Sequence, residues 1–185
     1  TDDSNDEIVY ASSMGDGVIQ YKNGTPVQSY NEKNAFKETA GGYGSGYCYI
    51  DGLAFDKNGN LWMTSSEVNH AVLVLDKAGA WHRLDIEQLR GVYTINDILI
   101  TSTNDKWIYV PRNTPKLVMI PNSESLDEVS SYEFTTLIDT DGKELTPSNY
   151  TCVAEDKDGY IWVGTNRGAV YFTKPRISSA EDKAA

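Results

Sequence analysis

Residues 153–165 read VAEDKDGYIWVGT, and one hundred positions earlier residues 53–65 read LAFDKNGNLWMTS. Alanine, aspartate, lysine, glycine and tryptophan fall at matching places: Ala54 with Ala154, Asp56 with Asp156, Lys57 with Lys157, Gly59 with Gly159, Trp62 with Trp162. Each copy is an apolar run, a polar turn carrying glycine, and a second apolar run centred on tryptophan. Glycine supplies the positive φ that a tight hairpin turn needs, so each copy predicts two antiparallel strands.

Further copies lie around these two. Ile98 to Val110 (ILITSTNDKWIYV) places Trp107 45 residues after Trp62, and at the same offset Leu117-Val118-Met119-Ile120 falls on Val72-Leu73-Val74-Leu75. At the amino end, Ile8-Val9-Tyr10-Ala11-Ser12 and Gly17-Val18-Ile19-Gln20-Tyr21 match Tyr160 to Gly164 and Gly168 to Phe172. A repeat of ~45–55 residues built of four short strands is the length of one propeller blade. In the clearest copy the strands are Ile50 to Phe55, Leu61 to Ser65, Ala71 to Leu75 and Trp81 to Leu84.

The expected fold is therefore all-β, a β-propeller segment of four-stranded antiparallel meander blades, two complete and two partial. The divisions are a partial blade over 8–45, blades over 50–90 and 95–136, a partial blade over 147–172 and a tail over 173–185. The first copy lacks an opening strand and the last lacks a closing one, so the two ends duplicate rather than complement each other. Rings need about 4–8 blades, which leaves completion to the remaining blades of a larger ring or to a second copy of the chain. A blade cannot bury its two apolar faces alone. Trp62, Trp107 and Trp162, recurring at one strand position, are expected to pack between blades.

The stretch from Pro147 to Thr165, followed by Gly168-Ala169-Val170-Tyr171, resembles the two-component-regulator propeller repeat, a D-x-x-G-x-[apolar]-W-[apolar]-G-T string with a Gly-led strand after it. It is also similar to the propellers of secretion-associated cell-surface proteins of the PorZ type. The resemblance implies a periplasmic or cell-surface location and a sensor or secretion-associated role. The middle copy departs from the pattern, with Lys106 at an apolar position and Val110 in place of Ser or Thr.

The net charge of −11 repels phosphate backbones and excludes nucleic acid as a partner. No run reaches the ~18 apolar residues of a membrane span. The amino end, from Thr1 to Glu7, does not read as a leader. Cys48 and Cys152 fall in blades that are not neighbours, which argues against a disulfide.

No catalytic constellation, cofactor or metal site is expected. Asp56 and Asp156 begin stretches like calcium loops, but the twelfth place from Asp156 is Arg167 and a strand interrupts the first, so Asx-type turns are expected. In a four-stranded meander, the 2–3 loops and the 4–1 connections emerge on one side. That side gathers Tyr43, Tyr47, Asn69, His70, Arg112, Asn113, Asn166 and Arg167, a candidate surface for a glycan, peptide or protein ligand. His70 is expected to be a solvated loop residue without a carboxylate partner. The functional expectation is a non-enzymatic recognition or scaffold module. The alternative is an enzyme of the propeller lyase or lactonase type. It would gather a metal or a His/Glu pair around the central channel, a site lying partly outside this chain, to which the innermost strands here contribute Asp51, Asn96, Asp97, Asn149 and Glu155.

Overall fold

A computed structural model describes residues 8–40, 46–138 and 141–172. The chain divides into two units, 1–98 and 99–185, each described by itself.

In the first unit, β1 (Ile8–Gly15), β2 (Gly17–Lys22) and β3 (Thr25–Tyr30) form a meander. Its second turn is a two-residue hairpin with Asn23 at φ 51° and Gly24 at φ 74°, the two positive values that match strand twist. β4 (Cys48–Phe55), β5 (Leu61–Ser65), β6 (Val72–Leu75) and β7 (Trp81–Leu84) form a second meander. The sequence predicts separate blades, but β1 pairs antiparallel with β4 through Met14–Tyr49 and Gly15–Cys48, which joins both meanders into one seven-stranded sheet. Strand alternation sends Leu61, Met63, Leu73 and Leu75 to one face, where they meet Tyr10 and Val18 of the preceding meander and Phe36 of the segment after it. Tyr10 meets Phe55 edge-on at 5.7 Å. A single 3-10 turn over Glu87–Leu89 follows, with Leu89 buried.

In the second unit the sheet order is β11-β10-β9-β8, with β8 (Ile98–Ile100) opening at the unit boundary, then β9 (Lys106–Val110), β10 (Lys116–Ile120) and β11 (Tyr132–Phe134). β12 (Leu137–Ile138) and β13 (Glu144–Leu145) pair antiparallel as a separate two-stranded sheet. β14 (Tyr150–Glu155), β15 (Ile161–Thr165) and β16 (Gly168–Phe172) close the described chain as a three-stranded sheet. Ile161, Val163 and Phe172 on one of its faces pack against Trp107, Tyr109 and Leu117. Phe172 lies 5.0 Å from Trp107, ring centre to ring centre. Tyr150 is buried here, and burial pushes its phenol up to about 12.

Both units thus repeat one rule. The face of a meander that carries the tryptophan position, filled by Tyr10 in β1–β3, packs on the opposite face of the next meander in the unit.

Candidate functional site

The repeated turn is a built hydrogen-bond site. Asp56 Oδ1 accepts the N–H groups of Asn58 (2.9 Å) and Asn60 (2.8 Å), while Oδ2 accepts the Asn60 side-chain amide and Trp62 Nε1–H, both at 2.9 Å. The carboxylate replaces the water that these donors would lose inside the sheet. The second copy repeats it: Asp156 accepts from Asp158 N and Tyr160 N at 2.9 Å and from Trp162 Nε1 at 2.7 Å. The Trp162 donor is the main reason Asp156 is held below the usual carboxylate range. Both turns are the expected Asx type, with their carboxylate oxygens committed to these donors.

Two further turns vary this arrangement. In Asp76-x-x-Gly79-x-x-His82, Asp76 Oδ1 accepts Ala80 N at 2.8 Å and Oδ2 lies 3.1 Å from His82 Nε2, so an imidazole stands where the indole stands elsewhere. In Thr101-x-x-Asn104-x-x-Trp107, Asn104 takes the glycine's place at φ 67° and Thr101 the aspartate's. The threonine hydroxyl already accepts Asp105 N at 3.0 Å, and the buried Trp107 Nε1–H has no acceptor among the described residues. The first keeps the D-x-x-G-x-x-[aromatic] pattern, while the second keeps only its spacing. Lys106, out of pattern in the sequence, is buried and donates its Nζ to Asn104 O at 2.7 Å.

The candidate recognition residues fall in both units. In the first, Glu38 carries the chain between β3 and β4 onto the β5–β6 loop: Oε2 accepts Asn69 N at 2.7 Å and His70 N at 3.3 Å, and Oε1 contacts His70 Nδ1. This corrects the expectation that His70 lacks a carboxylate partner. The pairing spans 32 positions, which no local pattern reveals. Burial pushes Glu38 up, but its contacts with His70 and Asn69 outweigh it and leave the carboxyl below its ordinary range. Beside the pair is a cavity of about 10 Å³, room for one water, lined by Phe36, Val68, His70, Leu73 and Arg83. Arg83 Nη2 donates to Ala35 O at 2.6 Å, while its buried Nε–H has no acceptor among the described residues.

Tyr47 accepts Ala40 N at 2.8 Å through its carbonyl, and its ring meets Tyr49 edge-on at 6.3 Å. Tyr43 lies outside the described residues. Two positions along β4 from Tyr49, Asp51 accepts Ser66 Oγ–H at 3.0 Å. Burial, opposed by that bond and aided by the Asp97 charge, pushes Asp51 up to about 6. The Ser66 hydroxyl also accepts Ile95 N at 2.8 Å, and Thr64 Oγ donates to Asn96 O at 3.0 Å while accepting Gly52 N at 2.9 Å. Glu67, left-handed at φ 62°, has a buried Oε1 without a partner among the described residues.

In the second unit Asn113, at φ 71°, and Arg112 form the β9–β10 loop, and Asn166 and Arg167 form the β15–β16 turn. Asn166 Oδ1 accepts Ser148 N at 2.9 Å and Asn149 N at 3.2 Å, so it holds backbone. Glu155 is likewise engaged, by Ser102 N at 2.6 Å and Ser102 Oγ at 2.5 Å. Cys48 and Cys152 are free thiols, the first buried and the second exposed. Among the described residues no group of three His, Cys, Asp or Glu side chains could hold a metal ion, and no helix is long and apolar enough to cross a membrane.

Trp62 and Trp107 are buried, at 1% and 0% exposure. Trp162 differs: it is 41% exposed and stacks at 4.9 Å on Tyr171 of its own sheet, because among the described residues no sheet covers that face.

Residues 144–167 match the family described as two component regulator propeller. The fold is similar to that of PorZ, a bacterial surface component of the type-IX secretion system of Porphyromonas gingivalis, with TM-score 0.89 and 17% identity over 99% of this chain and 26% of that one. It is also similar to the extracellular domain of BT4673, a candidate hybrid two component system of B. thetaiotaomicron (TM-score 0.63, 17% identity, 97% of this chain and 22% of that one). A third likeness is to virginiamycin B lyase from Staphylococcus aureus (TM-score 0.54, 16% identity, 75% of this chain and 40% of that one). The chain thus spans about a quarter of the length of PorZ. No curated protein sequence matches it. At these identities the likenesses show the fold, a β-propeller, and the repeat match carries the resemblance read from Pro147 to Thr165.

Proposed function

We propose that the chain is a non-enzymatic recognition module of a periplasmic or cell-surface propeller, sensor or secretion-associated, and that it takes a glycan or peptide at the loop surface of its first unit. The carrying observation is that these loops are pinned in advance. One carboxylate, Glu38, ties Asn69 and His70 to the segment that leads into Tyr47. Binding to a fixed surface avoids the ordering cost that a mobile loop would incur. Tyr47 and Tyr49 offer apolar area with polar tips, and Asn69 lends an exposed amide. The likeness to the extracellular and surface propellers supports this reading and its location.

A glycan and peptide array probed with the wild type and with Tyr47→Ala tests it. Signals lost in the variant support the site; equal signals from both proteins remove it.

A second reading, a lyase- or lactonase-type enzyme, draws on the same Glu38–His70 contact. A carboxylate that orients an imidazole is the arrangement of a general base. Divalent metals followed by thermal shift discriminate: stabilisation that Glu38→Gln and His70→Ala both abolish would favour the enzyme.

A further inference from the structure

Where β1 pairs with β4, three tyrosines and two carboxylates converge on the amino end of β4. Tyr47 and Tyr49 stand edge to face, their rings 6.3 Å apart at 86°, so they form a corner rather than a flat platform. The Tyr47 ring lies against the backbone of Gly15, where an added Cβ would come within 3.1 Å of it. Met14 pairs with Tyr49 across the two strands, which puts both side chains on one face, and Met14 is 65% exposed. The third ring arrives through the backbone. Ser66 N donates to Tyr49 O at 3.1 Å and Glu67 N donates to Val92 O at 2.8 Å, which brings Tyr93, 56% exposed, to the same place. All of these groups lie between residues 14 and 93, inside the first unit.

The corner is anionic. Burial first, and then Asp51, Tyr47, Tyr93 and Glu67, push the Tyr49 phenol up, so both carboxylates act on this one hydroxyl. Asp51 accepts Ser66 Oγ–H at 3.0 Å through Oδ2, and Glu67 keeps a buried Oε1 without a donor among the described residues. Among those residues the groups acting on Tyr49 and Asp51 are carboxylates, phenols and the Ser66 hydroxyl, with no lysine or arginine. A part-buried carboxylate without a counter-ion is costly, and a cation brought by a partner relieves that cost.

Given the recognition surface proposed above, on which this rests, we infer that the corner takes a lysine or arginine side chain from a peptide partner. The charged head sits between the Tyr47 and Tyr49 rings and the Asp51 and Glu67 carboxylates, and the aliphatic stem runs along Met14. Ring faces attract a cation through their quadrupole, carboxylates through their charge, and a thioether gives apolar cover to a methylene stem. A neutral sugar hydroxyl donates to a carboxylate but leaves its charge uncompensated. The net charge of −11 draws a basic peptide toward the chain from a distance.

The test is an NMR titration, which reads affinities into the millimolar range and locates the contact. It is run at physiological ionic strength, where a Debye length of ~8 Å screens the general field of the chain. Glycine-flanked peptides with one central lysine or arginine are compared with the same peptides carrying norleucine or citrulline, which keep the stem and lose the charge. The wild type is expected to bind the charged peptides at least about tenfold more tightly, with shifts at Tyr49 and Glu67. Asp51→Asn and Glu67→Gln, each checked for folding by far-UV circular dichroism, are expected to remove most of that difference. Equal affinity for charged and uncharged peptides overturns the inference, as does binding to none of them. If Tyr47→Ala still abolishes signals on the glycan and peptide array, the recognition surface stands and only its preference for a basic partner falls. If the array signals are unchanged as well, both fall. A charge preference that survives both carboxylate substitutions also overturns the inference, because the acidic surface at large would then be its source.

Discussion

Asp56→Ala and Asp156→Ala are one chemical change made in two surroundings. At Asp56 the carboxylate is buried and accepts four donors, two of them from side chains: the amide of Asn60 and the indole of the buried Trp62. Alanine leaves both side-chain donors inside the sheet without an acceptor. An unsatisfied buried donor costs about 1–3 kcal/mol, so the pair together costs about 3–5 kcal/mol. At Asp156 the three accepted donors are solvent-exposed, and Trp162 is 41% exposed. Water can replace the carboxylate there, and the expected cost is about 1 kcal/mol or less. Urea unfolding followed by tryptophan fluorescence and far-UV circular dichroism measures both, with each unit fitted separately where the transitions resolve. Equal losses for the two variants would refute the reasoning, since burial would then not set the energy of this turn.

Thr101→Asp supplies the acceptor that the Trp107 indole lacks and is expected to raise the stability of the second unit by about 1 kcal/mol, read from the urea midpoint. Gly52→Ala would bring a Cβ within 2.7 Å of the Ile98 backbone nitrogen, so it is expected to destabilise the first unit by about 1–3 kcal/mol, read the same way. Asp51 has a folded pKa raised from 3.8 to about 6. Its contribution is therefore present in full below the lower value and lost as pH rises through the higher one. The wild type should lose stability between about pH 4 and 6 relative to Asp51→Asn, by about 1–2 kcal/mol after allowance for solvent; parallel pH profiles would contradict this. Glu38→Gln should weaken the hold on Asn69 and His70, seen as faster amide hydrogen exchange at both residues with the rest of the sheet unchanged.

What was legible in the sequence was whatever the chain encodes locally. The hairpins at Asp56 and Asp156 follow from seven residues each, and the strands from alternation within a few more. The turn at Asp76 obeys the same spacing, with His82 in place of the indole. Three features were not legible. The Glu38–His70 contact joins loops on either side of β4 and β5. The pairing of β1 with β4 depends on where two sheets meet. The exposure of Trp162 depends on a surface that must cover it, and its own repeat gives no sign of whether that surface exists. Residue type and spacing define the turn, while burial of the same indole is decided one sheet away.

The aspartate-to-indole bond closes across six positions, inside a single hairpin. A repeat built this way carries the instructions for its own turn and asks nothing of its neighbours to make it. When such a segment is duplicated, the new copy arrives with its hairpin already specified, and only the contacts between sheets need to be learned afresh. The third copy shows the tolerance of the arrangement: threonine stands for aspartate and asparagine for glycine, the indole has no acceptor among the described residues, and the strands still pair. Lineages can therefore lengthen or shorten the array, and vary the loops between hairpins, without re-evolving the hairpin itself.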